Sequence, residues 1–334
     1  MKVLVTGANG LLGNNLVREL LSRNYQVSVL LQNAQSPAPG LNQLPIQRFY
    51  GDLLDPLALE AAVQGQERVI HAAASTQVYP PRCSTILENN IQGTENIVQA
   101  CLKAGVQRLV HIGTANSFGP GTPSRPGNED SPYQGDLGLD YIGSKYMAQQ
   151  KVLDAVKNRG LRALVLNPTF MIGPYDTKPS SGALVLALYQ RKIPGYSSGS
   201  KCYIAVKDVA VAAANALHQG RDGECYILGN HNLTHREAFE IIGRALGVPS
   251  PILPLPDVLV QTMGRLGSVL VKWTDRPPNL TREITRISCG HHCYSSQKAQ
   301  RDLGLPCTDL EVAARECLHW FQQNGYTQKI NADL

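Results

Sequence analysis

The sequence predicts an α/β protein: a doubly wound parallel sheet with a smaller lobe interleaved into its C-terminal half. Three observations predict it. Short apolar runs alternate with amphipathic stretches through the first half of the 334-residue chain. A glycine-rich turn follows the first of those runs directly. The composition, 43% hydrophobic and 17% charged, suits a large buried core in a chain of this length. Strands alternating with helices pair in parallel through right-handed crossovers, which places ligands at the carboxyl ends of the strands.

Taken in order, Val3-Leu4-Val5 is a short buried strand, and residues 12–22 carry a helical pattern through Leu16, Leu20 and Leu21. Residues 26–31 form the next strand, followed by a Pro/Gly/Asn-rich loop over 33–45. Further strands are expected at 46–50, 68–71, 108–112 and 163–166, with helices at 55–63, 89–104 and 142–158 between them. After Pro168 the pattern loosens into loops marked by Pro174, Pro179 and Pro194. A strand-and-helix unit returns at 203–217, 225–228 reads as another strand, and the remainder is helical with proline breaks. The expected division is a sheet domain of residues 1–168 and 203–230, with a smaller lobe of 169–202 and 231–330.

Composition removes several function classes. The 31 basic and 26 acidic residues give a net charge of +5 without a basic run, so no nucleic-acid partner is expected. No segment reaches the ~18 uninterrupted apolar residues of a membrane span, and the first residues lack the ordered features of a signal peptide. The eight cysteines are scattered through a large chain, unlike the framework of a small secreted domain, so a reduced, cytoplasmic protein is expected. Cys289-Gly290-His291-His292-Cys293 holds metal-ligand residue types, but its spacing to Cys307 and Cys317 fits no closed zinc pattern, and no metal is expected. In residues 257–273, Val258, Leu259, Met263, Leu266, Val269 and Leu270 fall near helical spacing, with Arg265 and Lys272 near the edge. That stretch is expected to pack on the smaller lobe or line its pocket, with a membrane-surface helix as the alternative.

Thr6-Gly7-Ala8-Asn9-Gly10-Leu11-Leu12-Gly13 joins the first strand to the first helix. Gly7, Gly10 and Gly13 allow the tight turn, the close approach of backbone to a pyrophosphate, and close packing of helix on strand. The helix start, with Asn9, Leu11 and Leu12 in the turn, offers free N–H groups to phosphates. The expected cofactor is therefore NAD(P), held in a Rossmann arrangement. The second strand closes with Leu31-Gln32-Asn33, which has neither a carboxylate for the ribose hydroxyls of NAD nor an arginine for the 2′-phosphate of NADP. Gln32 could bond either group. The choice stays open, tilted slightly towards NADP because the usual device for excluding it is missing.

Tyr141 and Lys145 begin a helix four residues apart, on one face. An ammonium near the phenol is expected to lower its pKa from about 10 towards neutrality, making Tyr141 a general acid for a carbonyl or a base for an alcohol. Further stretches accompany this pair in order: GDLLD at 51–55, HAAA at 71–74, NNIQGTENI at 89–97, NPTFMIGP at 167–174, YIAVKDVA at 203–210, YSSQKAQRDLG at 294–304 and WFQQNGY at 320–326. Together with the glycine turn and YIGSK at 141–145, they cover nearly the whole chain. The chain resembles the extended short-chain dehydrogenase/reductases, the superfamily of nucleotide-sugar epimerases, dihydroflavonol reductases and 3β-hydroxysteroid dehydrogenases.

The resemblance implies a set of roles. Asp52 and Leu53 would lie beside the adenine, and Ala72, Ala73 and Ala74 would line the cofactor channel. Ile112 and Pro168 would complete the cofactor contacts, and Asn90 would brace the site from its helix. Lys145 would bond the nicotinamide ribose as well as tune Tyr141. Counting back from Phe118-Gly119 puts Thr114 at the catalytic hydroxyl position, donating to the substrate oxygen as charge develops there. Gly113 stands where a serine is often found. A homodimer through helices such as 89–104 and 142–158 is common in the superfamily.

Three reaction classes compete within it. Sugar dehydratases place an Asp-Glu pair after the catalytic threonine, whereas Thr114 is followed by Ala115 and Asn116, which disfavours elimination. Nucleotide-sugar epimerases need cations for a diphosphate, for which Arg191, Lys192, Lys201, Arg276 and Arg282 are candidates. The 167–182 stretch looks closest to the dihydroflavonol-reductase and hydroxysteroid-dehydrogenase branch. Phe170, Met171, Leu184, Leu186, Leu188 and Tyr189 could face an apolar pocket, though core packing explains them equally. The expected activity is interconversion of a secondary alcohol and a ketone on a small-molecule substrate. An epimerase with tightly held NAD is the runner-up. A non-catalytic NAD(P)-binding regulator is the third reading, opposed by the presence of Thr114, Tyr141 and Lys145.

Overall fold

The structure is a computed structural model describing residues 1–35, 38–270 and 281–327. Its strands are β1 (Lys2–Thr6), β2 (Gln26–Leu31), β3 (Gln47–Tyr50), β4 (Arg68–His71), β5 (Arg108–Ile112), β6 (Ala163–Pro168), β7 (Phe170–Ile172), β8 (Ser200–Ala205), β9 (Cys225–Leu228), β10 (His231–Thr234) and β11 (His291–His292). Its α-helices are α1 (Leu11–Ser22), α2 (Pro56–Val63), α3 (Ser84–Leu87), α4 (Gly93–Ala104), α5 (Asp140–Arg159), α6 (Ala183–Tyr189), α7 (Val206–Ala216), α8 (His235–Leu246), α9 (Asp257–Leu270), α10 (Arg282–Cys289), α11 (Gln297–Leu303) and α12 (Leu310–Gln323).

Seven strands form a parallel sheet in the order β3-β2-β1-β4-β5-β6-β9. Strand order reverses between β1 and β4, and that switch point opens a crevice at their carboxyl ends. Alternation along each strand feeds two core layers. Val3 and Val5 join Leu16, Leu20 and Val209 of α1 and α7, whereas Leu4 joins Leu59, Ile97 and Val152 of α2, α4 and α5. Local chemistry sets the helix ends. The Asp55 carboxylate accepts from Leu57 N and Ala58 N to cap α2, and Gly105 and Gly160 close α4 and α5 at φ +67° and +71°.

The smaller sheet is centred on β8, with β10 antiparallel to it and β7 and β11 parallel. Tyr203, Leu188, Phe239 and Phe321 fill the core between it and α6, α8 and α12. The chain therefore divides differently from the expected boundaries. β8 belongs to the smaller sheet, although α7 and β9 return to the large one as expected. Within the stretch assigned to the lobe, α11 turns Ala299 and Leu303, four residues apart, into the core of the large sheet. The helix expected at 89–104 begins earlier, at α3, and widens into a π-helical turn over Glu88–Gln92 before α4. All eight cysteines are free, and among the described residues no helix is long and apolar enough to cross a membrane. Lys272, Trp273, Arg276 and residues 328–330 lie outside the described residues.

Candidate active site

The glycine turn separates packing from ligand space. Gly7 sits at φ +72°, and a Cβ there would lie 2.6 Å from Ala73 N; a Cβ on Gly13 would lie 2.0 Å from Gly7 O. Both glycines are required by the chain itself. Gly10 is different, because the nearest atom to its Cβ position is Gly7 O at 3.5 Å. Its bareness leaves open space in front of a helix that has neither a side-chain cap nor an acidic residue in its first turn. Uncapped N–H groups and a positive dipole end facing that space fit a pyrophosphate. Leu11 and Leu12 are buried beneath the turn. The smaller lobe is tied over it, with Thr177 Oγ1 donating to Asn9 O at 3.2 Å and Asn15 Nδ2 donating to Pro174 O at 3.0 Å.

At the adenine end, Gln32 Nε2 donates to Asp52 Oδ2 at 3.1 Å, and Asp52 Oδ1 accepts from Leu54 N at 2.9 Å. Only the amide nitrogen can donate to a carboxylate, so the carbonyl of Gln32 is left for a ligand. Leu53 is held by α4, since Asn96 Nδ2 donates to its carbonyl at 2.9 Å.

A chain of hydrogen bonds fixes the crevice floor. Ala73 N donates to Thr6 Oγ1 (3.2 Å), and Thr6 Oγ1 lies 2.8 Å from His71 Nδ1. His71 Nε2 is 3.1 Å from Thr94 Oγ1, which itself donates to Asn90 O at 2.7 Å. Thr94 must therefore accept from His71 Nε2–H, and Nδ1 accepts from Thr6. In the widened π-turn, Asn90 Oδ1 accepts from Ser75 N at 2.7 Å, and its Nδ2 donates to Ser144 Oγ on α5 at 2.9 Å. Asn90 thus braces the loop after β4, bearing half-buried Ala72, Ala73 and Ala74, against the helix bearing Tyr141.

His71 and His111 lie on adjacent strands with ring centroids 5.4 Å apart, and burial first, then the Lys145 charge, holds both neutral. His71 is depressed to about 3, and His235 and His292 to about 4, each mainly by burial. These folded values lie below the ordinary histidine value of about 6.5, so on acidification the unfolded chain takes up protons first. Stability is full above about pH 6.5 and falls as pH drops towards the folded values, by up to ~1.4 kcal/mol per pH unit for buried His71. The urea midpoint should fall between about pH 6.5 and pH 4; a midpoint constant across that window would contradict the buried neutral imidazoles.

The three candidate catalytic residues, Thr114, Tyr141 and Lys145, come together at the end of β5. The Thr114 and Tyr141 hydroxyls lie together, and buried Lys145 Nζ donates to Ile112 O. Burial pulls the Lys145 ammonium down to about 8. The phenol departs from the expected direction: burial pushes it above its ordinary value, opposed by the Thr114 hydrogen bond. The lysine charge is directed at a carbonyl and does not lower the phenol towards neutrality here. Gly113 also gains a reason. A Cβ there would lie 2.5 Å from Asn167 Nδ2, which donates to Thr114 O (3.0 Å) and Gln149 Oε1 (2.6 Å). The buried Asn167 carboxamide, followed by Pro168 at the end of β6, fills the space a serine side chain would need. The sequence reading missed Asn167, Gln149, Ser144 and Thr177; the polar Asn167 at the end of an otherwise apolar strand was the available signal.

Other expectations do not converge on this site. Leu188 is in the lobe core, Phe170, Leu184, Leu186 and Tyr189 pack against it, and Met171 packs against the large-sheet core, so these side chains serve packing. Arg191, Lys192 and Arg282 are exposed. Lys201 is set apart, with Nζ 4.3 Å from the centre of the Phe170 ring and an ammonium lowered to about 8 by burial. It pairs in register with His292, which lines a narrow cleft with Asn116, Leu137 and Tyr294. His291 Nδ1 and Cys293 Sγ both lie against Ser200 Oγ, at 2.8 and 3.1 Å. Among the described residues no three His, Cys, Asp or Glu side chains are grouped to hold a metal ion.

Known proteins resemble this chain over most of its length. The model of the NAD dependent epimerase/dehydratase family matches residues 3–229. A provisionally named dihydroflavonol 4-reductase of Synechocystis sp. is 31% identical, over 97% of this chain and 95% of that protein. The 3 beta-hydroxysteroid dehydrogenase type 7 of Homo sapiens is 37% identical, over 96% of this chain and 95% of that protein. The crystal structure of gox2253 superposes with a TM-score of 0.85 at 29% identity, covering 98% of this chain and 99% of that one.

Proposed function

The chain belongs to the NAD-dependent epimerase/dehydratase family, and from that premise we propose that it interconverts a secondary alcohol and a ketone, with Tyr141 as the proton-transfer group. It is an oxidoreductase of the extended short-chain dehydrogenase/reductase type. The observation that carries the reading is the Thr114–Tyr141 hydroxyl pair above Lys145 at the carboxyl end of β5, with Ala115 and Asn116 following where elimination would need carboxylates. The reductase and hydroxysteroid dehydrogenase names of the relatives support it.

The cradle around Gly10 and the α1 N-terminus would hold the pyrophosphate, and when bound the nicotinamide supplies or accepts the hydride. A ketone oxygen between Thr114 and Tyr141 takes a hydrogen bond from each, which stabilises the charge that grows there. Tyr141 then gives its phenol proton to that oxygen. Lys145, one helical turn on and held by the Ile112 carbonyl, would bond the nicotinamide ribose. A panel of hydroxysteroids, dihydroflavonols and 3-oxo esters, followed by nicotinamide absorbance, tests the proposal. Turnover of at least one is expected. Epimerisation of a nucleotide sugar without net cofactor turnover would contradict it and favour the runner-up, for which Lys201 is the fitting cation.

For the cofactor we favour NAD over the NADP to which the missing carboxylate had pointed. The Gln32 carbonyl can accept from a ribose hydroxyl, and Asp52 beside it repels a phosphate. Gln32→Arg should therefore improve NADPH binding relative to NADH by about tenfold or more, as arginine pairs well with phosphate. An unchanged ratio of the two dissociation constants would remove Gln32 from the recognition of this group.

A further inference from the structure

The helix α9 carries two apolar faces. One packs on α10: a Cβ on Gly264 would lie 2.1 Å from Thr285 Oγ1, and Val260 is buried alongside. The other is uncovered, with Val258 78%, Leu259 47%, Met263 38% and Leu266 58% exposed. Ile252 and Leu253, in the segment leading into the helix, are 87% and 54% exposed. Among the described residues these six make up most of the nine large apolar side chains left in water. The expectation of a helix covered by the lobe therefore holds for one face only. A contiguous apolar stripe of this kind marks an interaction surface.

The charges around the stripe select the occupant. Arg265, Arg282 and Arg286 of α9 and α10 are exposed. These three arginines stand against two carboxylates on the same helices, Asp257, which accepts from Ser198 Oγ at 2.6 Å, and half-buried Glu283, so the border of the stripe carries a surplus of positive charge. A two-fold pairing of copies through this stripe would set that positive surplus against itself, since such an interface matches each patch with itself. An anionic lipid surface presents the opposite charge and an apolar interior, and arginines can reach its headgroups while the stripe lies below them.

We propose that α9 seats this protein on an anionic bilayer surface through the Val258, Leu259, Met263 and Leu266 face. The Glu283 side chain lies against Gly138, which places α10 beside the loop that leads into Tyr141. The docking stands independently of the reaction proposed above.

Co-sedimentation of the full chain with phosphatidylglycerol/phosphatidylcholine vesicles tests it, with pure phosphatidylcholine vesicles in parallel. Binding to the anionic vesicles is expected, at least tenfold weaker for Leu259→Ser/Leu266→Ser and for Arg265→Glu/Arg282→Glu. Nicotinamide binding and Tm measured on the same variants should match the wild type, which separates lost docking from lost folding. No sedimentation of the wild type with anionic vesicles would overturn the proposal. So would equal binding by the variants, or a concentration-dependent dimer of the wild type that Leu259→Ser/Leu266→Ser makes monomeric.

Discussion

Tyr141→Phe should lower kcat by about 10²–10⁴-fold, the usual contribution of a positioned proton donor, while leaving cofactor affinity and Tm close to wild type. The variant keeps the ring and its packing and removes only the hydroxyl beside Thr114. Thr114 Oγ1 still accepts the long contact from Asn116 N, at 3.4 Å, and loses only its phenol neighbour. Tyr146→Phe is the matched control, because its ring is stacked on Tyr133 at 3.9 Å and it lies outside the Thr114, Tyr141 and Lys145 group. A pH profile adds a second readout. Burial raises the Tyr141 phenol, so it stays protonated through neutral pH. Ketone reduction should then be flat across that range, whereas alcohol oxidation, which needs the phenolate, should rise with pH into the alkaline region. Wild-type turnover by Tyr141→Phe would refute its role.

The second large effect separates two glycines of one turn. Gly13→Ala puts a methyl group 2.0 Å from Gly7 O and 2.6 Å from Ala8 Cα, both backbone atoms that cannot step aside. It should cost about 3 kcal/mol or more of stability, read as a lowered urea midpoint. Gly10→Ala meets nothing closer than 3.5 Å, at φ −86° and ψ 173°, which alanine adopts freely. That protein should fold with a loss of about 1 kcal/mol or less as a poorer cap, yet bind the nicotinamide cofactor at least about tenfold more weakly. A Gly10→Ala protein with wild-type cofactor affinity would move the pyrophosphate away from the α1 N-terminus.

What the sequence made legible was local. The strands at 26–31, 68–71, 108–112 and 225–228 lie at the expected bounds because each is a short apolar run ended by polar or small residues. The glycine turn and the Tyr141/Lys145 spacing are likewise fixed within a few residues of chain. The missed features come from distant partners. Asn167 explains Gly113 only because β6 lies beside β5, and the phenol's raised pKa follows from burial and from Lys145 finding the Ile112 carbonyl. The lobe boundary failed for the same reason, since nothing near 297–303 in sequence shows that Ala299 and Leu303 pack against α7 and β9. The apolar pattern of α9 was read correctly as helical, but the pattern alone does not tell which of two apolar faces a neighbour covers.

A fluorescence titration of the purified protein with NADH and with NADPH, after assaying for cofactor retained through purification, tests the central claim most directly. An oxidoreductase that exchanges its cofactor each cycle predicts an empty protein, saturable and reversible binding, and tighter binding of NADH. A stoichiometric cofactor that does not exchange would contradict that account and point to internal recycling of the hydride, and no binding of either would remove the nucleotide site altogether.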